Sequence, residues 1–482
     1  MKRPLRQAAS LALALSLGGG MLAGCASAAS PAAIAPSTGA SSAPSGDLAP
    51  ETVLAANADY TTVNDDEWSE SDAIDVKLSE RGVTSDSSAV ASRGSMVTIT
   101  EAGVYRLSGS FEGQLVVAAP DDALVVLILD GASISNTAGA AIEVRSADDV
   151  GIFLAAGSRN EVSDADAYGD DVEANAAIYA DTDLTISGTG ALRVTANGND
   201  GITSTDDLVI LSGDLTVTAA DDALRGKDSL VVEGGELALE AGGDGMKSDQ
   251  EDDEAKGYIL ITGGTIGITA GDDGIQAETD TVITGGMITA DVADDGVKAE
   301  THLSVGGGEI TVTASTEAME AAYIGIFAGT IDLTASDDGI NASGLNTGQD
   351  RETDTGERLE ISGGTITVAA GTDGLDSNGT ITITGGELTI TSANNGGDGP
   401  LDANGEITVA DGVTIMANGA EWDPATAGGM GGPGGPGGPG GPGGPAGQSG
   451  PGGPGGPGGS GGPGGADAPQ GTDGSASPAD PR

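Results

Sequence analysis

The chain has 482 residues, with 74 acids against 18 bases and a formal net charge of −56, which argues against nucleic acid or an anionic membrane surface as a partner and in favour of multivalent cations. Aromatic residues make up 2% of the chain and glycine contributes 84 positions, so a core of large side chains is excluded and thin layers of Ala, Val, Ile, Leu and Thr must serve. Length alone allows two or three domains, but repeats and low-complexity stretches lower that ceiling.

From the N-terminus, Lys2, Arg3 and Arg6 precede an apolar run from Ala8 to Leu22 that ends in Leu22-Ala23-Gly24-Cys25. This is the pattern of a secretory signal with small residues at its cleavage point. Residues 1–24 are therefore read as a signal peptide. Cys25, the one cysteine of the chain, rules out an intrachain disulfide or a Cys-based zinc site. Residues 25–72 are rich in Ala, Ser, Pro, Thr and acids without periodicity, and predict a disordered tether.

Residues 73–426 carry the ordered domain. Its first part, including "LVVLILDGASISN" and "AIEVRSADDVGIFLAAG", alternates apolar and polar residues in short runs between Gly or Asp, which is a strand signal. A loop is expected at 163–175; its "DADAYGDDVEAN" superficially suggests an EF-hand, but the twelfth position is Asn175 and no flanking helix is expected. Beyond it an acid-Gly-aliphatic element recurs at Asp200, Asp222, Asp244, Asp273, Asp295, Glu317, Asp338, Asp373 and Asp398, at intervals of 22, 22, 29, 22, 22, 21, 35 and 25. The two longest intervals hold the polar insertions "DQEDDEAK" and "LNTGQDRETDTGER". Each unit contains three short alternating segments, such as "DGIQA", "TVIT" and "GGMITADV". Three strands per repeat of about 22 residues predict an all-β chain folded as a single-stranded parallel β-helix, a β-solenoid with disordered flanks. Leucine-rich repeats need a frame that is absent, calcium nonapeptides fail on period, and sandwiches or propellers do not predict one three-part sentence per unit. Residues 427–482, dominated by Gly-Gly-Pro, predict a disordered tail.

In stacked coils equivalent positions lie roughly 4.8 Å apart, and neighbouring carboxylates would repel by about 1 kcal/mol per pair even in water. The cations of the chain are too few to match every rung. Ca²⁺ suits the site, since it takes six to eight oxygens at roughly 2.3–2.6 Å from carboxylates, amides and carbonyls. The candidate metal ligands are Asp200, Asp221, Asp222, Asp244, Asp272, Asp273, Asp294, Asp295, Asp337, Asp338 and Asp373, with Asn199, Asp249, Glu278, Glu300, Asn341 and Asp376 near them. The alternative is a solvated acidic turn in which Asp caps the backbone and Gly supplies positive φ.

The third residue after each ladder acid forms another series, Thr203, Arg225, Lys247, Gln276, Lys298, Glu320, Asn341 and Asp376. In register, Arg225, Lys247, Gln276 and Lys298 would form a partly cationic patch able to meet a polyuronate carboxylate. Equally, the cations would only neutralise adjacent acids.

The stretches "NAAIYADTDLTISGTGALRVTANGNDGI", "AADDALRGKDSLVVEGGELALEAGGDGMKSDQEDDEAKGYILITGGTIGITAGDDGIQAE" and "ADDGVKAE" resemble secreted bacterial carbohydrate-binding β-helix proteins related in fold to pectate lyases, over about residues 73 to 422. The resemblance implies a right-handed β-helix, calcium at the Asp-Gly turns, binding of cellulose and acidic plant-type sugars, and no established catalysis. It carries calcium roles to Asp200, Asp222, Asp244, Asp273, Asp295 and Asp338, with Ala223 and Glu317-Ala318 departing from the pattern. The N-terminus resembles a bacterial lipoprotein signal, which implies cleavage before Cys25, acylation of its sulfur, and a protein held at the cell surface with no membrane contact beyond that anchor; a monomer is expected. The expected function is non-catalytic binding of an acidic glycan such as pectin, with cellulose second. Two alternatives stand beside it: a calcium-dependent polysaccharide lyase with Arg225 or Lys247 as its base, and a structural adhesin or spacer. Trp68 and Trp422 lie near the domain edges, which disfavours a flat aromatic cellulose-binding face, and His302 is read as an isolated surface residue.

Overall fold

The structure is a computed structural model that describes residues 47–423, apart from 81, 170–171, 346–352 and 395–397. All of these fall in the first of two compact units, Met1–Met430; the second is Gly431–Arg482. The expected signal peptide, Cys25, residues 25–46 of the expected tether and the Gly-Pro tail from 427 lie outside the described residues.

The architecture is all-β with almost no helix. Short strands pair in parallel with their counterparts one repeat away and build two sheets, of 27 and 13 strands among the described residues. Each regular unit contributes one strand to each of three ladders. Thus Ile275–Ala277 pairs with Val297–Ala299, Asp280–Ile283 with His302–Val305, and Met287–Val292 with Glu309–Ala314. The pairing shift matches the repeat length, so identical positions stack. Ile202, Leu224, Met246, Ile275, Val297, Met319, Ile340 and Leu375 form one inward aliphatic row, all fully buried. Burying each such side chain contributes roughly 1.5–3 kcal/mol, which is how a chain nearly devoid of aromatics sustains its core.

Glycine acts in two distinct ways. In the Gly-Gly turns the second residue has positive φ, as at Gly264 (91°) and Gly286 (89°). At the Asp-Gly elements φ is not positive, contrary to the simple acidic-turn reading; the constraint is closeness. A Cβ on Gly274 would lie 2.5 Å from the Gly296 carbonyl oxygen, so the tight stacking of units excludes a side chain there.

Residues 47–72, expected to end a disordered tether, are instead ordered against the sheet. A short helix, Pro50–Leu54, follows buried Leu48 and Ala49. The segment crosses successive repeats: the Ser304 hydroxyl donates to the Leu48 carbonyl at 2.6 Å, the Thr61 N–H to Asp207 Oδ2 at 2.8 Å, and the Val63 N–H to Thr185 Oγ1 at 3.0 Å. Val53 packs with Val209, Val231, Leu260 and Val282, outward-facing apolar residues that the strap covers. The burial of these few apolar anchors outweighs the tether-like composition. His302 is likewise not isolated. Its Nδ1 lies 2.8 Å from Asp280 Oδ1, which also accepts from Asn57 through Oδ2 at 3.0 Å. Its ring stacks on Tyr323 at 5.3 Å, and Arg358 lies over Tyr323 while pairing with Asp47 at 2.7 Å.

Candidate functional site

The short strands of the 13-stranded sheet begin just after each ladder acid, and parallel register aligns those acids along one edge. Asp200, Asp222, Asp244, Asp273 and Asp295 are no more than 6% exposed. Their sequence neighbours Asp221, Asp272, Asp294 and Asp337 face solvent, and Asp338 and Asp373 are half-buried. Each Asp-Asp pair is therefore divided, one carboxylate outward and the other turned in.

The inward carboxylates are used twice. One oxygen accepts the backbone N–H of the next ladder acid: Asp244 donates to Asp222 Oδ1 at 2.8 Å, Asp273 to Asp244 Oδ1 at 3.0 Å, Asp295 to Asp273 Oδ1 at 2.8 Å and Asp373 to Asp338 Oδ1 at 2.9 Å. The other oxygen faces the outward row of the adjacent strand. That row is the series of third residues, aligned in register as Thr203, Arg225, Lys247, Gln276, Lys298, Glu320, Asn341 and Asp376.

What stands in that row decides the charge balance. Lys247 Nζ lies 2.6 Å from Asp244 and 3.6 Å from Asp222, and Lys298 Nζ lies 3.2 Å from Asp295 and 3.6 Å from Glu320. Arg225 reaches Asp249 at 2.5 Å and Asp200 at 3.7 Å. Burial alone would lower the pKa of Lys247, but the Asp244 hydrogen bond and nearby carboxylates raise it overall. These three cations thus serve as counter-ions to the rungs they accompany.

Gln276, between Lys247 and Lys298, supplies an oxygen instead of a charge. Its Oε1 is buried without a hydrogen-bond donor, as are Asn341 Oδ1 and Asp249 Oδ1. Asn341 is 8% exposed and donates through Nδ2 to Glu317 at 2.9 Å. A buried acceptor without a donor is costly. Among the described residues, three sets of carboxylates bring oxygens within 4.8 Å of one another: Asp272, Asp273 and Asp294; Asp295, Glu317 and Glu320; and Asp373, Asp376 and Asp402. These all-oxygen sets, the second of them in contact with Asn341 through Glu317, fit a hard cation such as Ca²⁺.

Crowding is registered in the acidities. Burial pushes Asp200 and Asp273 up to about 6, against the help of Arg225 and of the Asp295 N–H respectively. Burial likewise takes Asp222 and Asp373 to about 7. Asp376 rises to about 8 through burial and then the fields of Asp338, Asp373 and Asp402.

Sequence reasoning did not place Glu317, Glu320 or Asp402 among the metal candidates, and counted Asp376 only as an oxygen near them. Glu317 departs from the Asp-Gly frame, and the irregular final interval hid that Leu401-Asp402 follows Leu375-Asp376 in register, an alignment visible in the parallel bridge between Leu375 and Leu401. Trp68 contacts Phe153 edge-on at 5.0 Å, and Trp422 packs against the core.

Comparison with known proteins bears on this arrangement. A family model described as "Carbohydrate-binding domain-containing protein" matches residues 93–339 and 288–420. A carbohydrate-binding domain-containing protein of Acetivibrio thermocellus is 43% identical over 128 residues, 26% of this chain and 45% of that protein, so the chain spans about half the length of this curated relative. A solved structure described as the polysaccharide lyase-like protein from C. thermocellum, gadolinium derivative, is similar at 36% identity and a TM-score of 0.43, over 50% of this chain and 94% of that one. With the matched segments together running from residue 93 to residue 420 of 482, the chain belongs to the carbohydrate-binding domain-containing protein family.

Proposed function

We propose that the protein is a non-catalytic, calcium-stabilised binder of acidic polysaccharide such as pectin, built as a right-handed parallel β-helix. It is exported, held at the bacterial cell surface through acylated Cys25, and works as a monomer. The observation that carries the reading is the ladder of inward acids in a carbohydrate-binding family member, with three sets of carboxylate oxygens gathered along it. Ca²⁺ is assigned first to Asp272, Asp273 and Asp294 with Gln276 nearby, and to Asp373, Asp376 and Asp402. The set Asp295, Glu317 and Glu320 is shared with Lys298. At Asp200, Asp222 and Asp244 the side chains of Arg225 and Lys247 already supply positive charge. A bound cation with unfilled coordination, beside Lys247 and Lys298, could accept a uronate carboxylate.

The lyase alternative needs a base that loses its proton near neutral pH. Arg225 and Lys247 are both held more firmly protonated than usual: burial opposes the charge, but Asp249 and then the ladder acids outweigh it at Arg225, and Asp244 and Asp222 outweigh it at Lys247. This favours binding over elimination. The test is retention of the full chain on polygalacturonate, with and without Ca²⁺, alongside ultraviolet detection of unsaturated product. Calcium-dependent retention without product is expected; product formation would establish the lyase, and no retention on any glycan would leave the spacer.

A further inference from the structure

The third strand of each unit exposes a face that the acid ladder does not use. In the strands Asp214–Ala219, Glu236–Ala241, Thr265–Ala270 and Met287–Val292, inward Leu, Val, Ile and Ala alternate with outward residues. Register stacks the outward ones into rows: Thr216, Ala238, Gly267, Thr289 and Thr311 in one, and Thr218, Glu240, Thr269 and Asp291 in the next. Together they enclose a shallow trough over five successive strands, with Ala238 and Gly267 as its floor and threonines and two carboxylates as its rim. Five strands span roughly 19 Å along the stacking direction, enough for several sugar residues.

Gly267 is not required by the fold. Its φ is not positive, and an added Cβ would meet only the Leu237 carbonyl oxygen, at 3.9 Å. The turn glycines differ: on Gly263 a Cβ would lie 2.3 Å from the Glu233 carbonyl oxygen. Glycine inside a strand weakens it and characteristically marks a bulge or the close approach of a ligand. The ladder on either side of Gly267 is regular, Ala238 pairing with Gly267 and Gly267 with Thr289. The hydroxyls of Thr216, Thr218, Thr269 and Thr289 and the carboxylates of Glu240 and Asp291 have no hydrogen-bond or ion-pair partner among the described residues.

We infer that this trough is a second glycan subsite, taking a neutral polysaccharide chain laid along the stacking direction. The inference rests on the polysaccharide-binding reading but not on calcium. Hydroxyl rows repeat at the strand spacing, which is close to the length of one sugar. Free carboxylates accept sugar hydroxyls, as glycan recognition by convergent polar groups requires. The open floor and threonine methyls admit the C–H face of a sugar ring. No Lys or Arg lines the trough, and Glu240 and Asp291 repel uronates, so charge separates this subsite from the acid ladder.

Calorimetric titration of the full chain with cellohexaose, xylohexaose and oligogalacturonate tests it, using the parent protein, Gly267→Val and Thr289→Val. The parent is expected to bind a neutral oligosaccharide with calcium or with chelator. Gly267→Val, which fills the floor with a strand-favouring side chain, is expected to weaken that binding by about tenfold or more while melting and oligogalacturonate binding stay unchanged. Thr289→Val is expected to weaken it less. Equal neutral-glycan binding by parent and Gly267→Val overturns the trough and leaves the proposed function standing. Binding of oligogalacturonate alone also overturns it, whereas binding of no glycan overturns the proposed function itself.

Discussion

Gln276 and Lys298 occupy the same position of neighbouring units, paired in register, yet one leaves a carbonyl oxygen without a donor and the other places an ammonium on Asp295. On this account the residue three beyond each ladder acid selects between an internal cation and an external one. Gln276→Lys should lower the number of bound Ca²⁺ by one and raise the metal-free melting temperature. Lys298→Gln should do the reverse, strengthening calcium binding at Asp295, Glu317 and Glu320 while lowering metal-free stability. Calorimetric stoichiometry with paired melts measures both, and unchanged stoichiometry in Gln276→Lys removes the assignment. The ladder acids also set a pH dependence. Asp222 and Asp373 titrate at about 7 and Asp376 at about 8 in the folded chain, against an ordinary value of about 3.9 when unfolded. A folded pKa raised in an acid means that the folded state binds the proton more tightly, so stability falls as pH rises from the unfolded value through the folded one. In chelator the melting temperature should therefore rise as pH falls from 8 to about 5, and saturating Ca²⁺ should flatten or reverse that trend.

At the level of elements, the parallel all-β organisation was legible because a constant interval fixes which residues stack, and strand alternation fixes which of them face inward. The row from Ile202 to Leu375 could be read from the interval alone. The strap over 47–63 was not legible, since Leu48, Val53 and Val63 follow no helix or strand period and cover outward positions on distant repeats. Only tertiary packing gives them meaning. The candidate site was half legible: spacing found the acids and their cationic neighbours, but not that the first acid of each pair faces water, nor that Asp402 continues the row of Asp376. Val53→Ala removes two buried carbons from the strap and should cost roughly 2 kcal/mol. Faster hydrogen exchange at the strap amides of Thr61 and Val63, which donate to Asp207 and Thr185, would accompany it. Unaltered exchange and melting would mean that the strap contributes nothing to the stack.

For the whole molecule, a net charge of −56 opposes compaction, and a linear stack of repeats depends on every neighbouring interface. On the proposed reading, cations along one edge would relieve repulsion where it is concentrated and join adjacent units, so that stability and polysaccharide binding would respond to the same ion. Thermal unfolding of the full chain in chelator and then in excess Ca²⁺ tests this most directly. Two sites filled at about a hundred times their Kd would stabilise by about 5 kcal/mol, equivalent to roughly 10 °C in melting temperature. A rise of that order, given by Ca²⁺ and abolished by chelator, is the predicted result; melting indifferent to calcium and chelator alike would contradict the cation ladder.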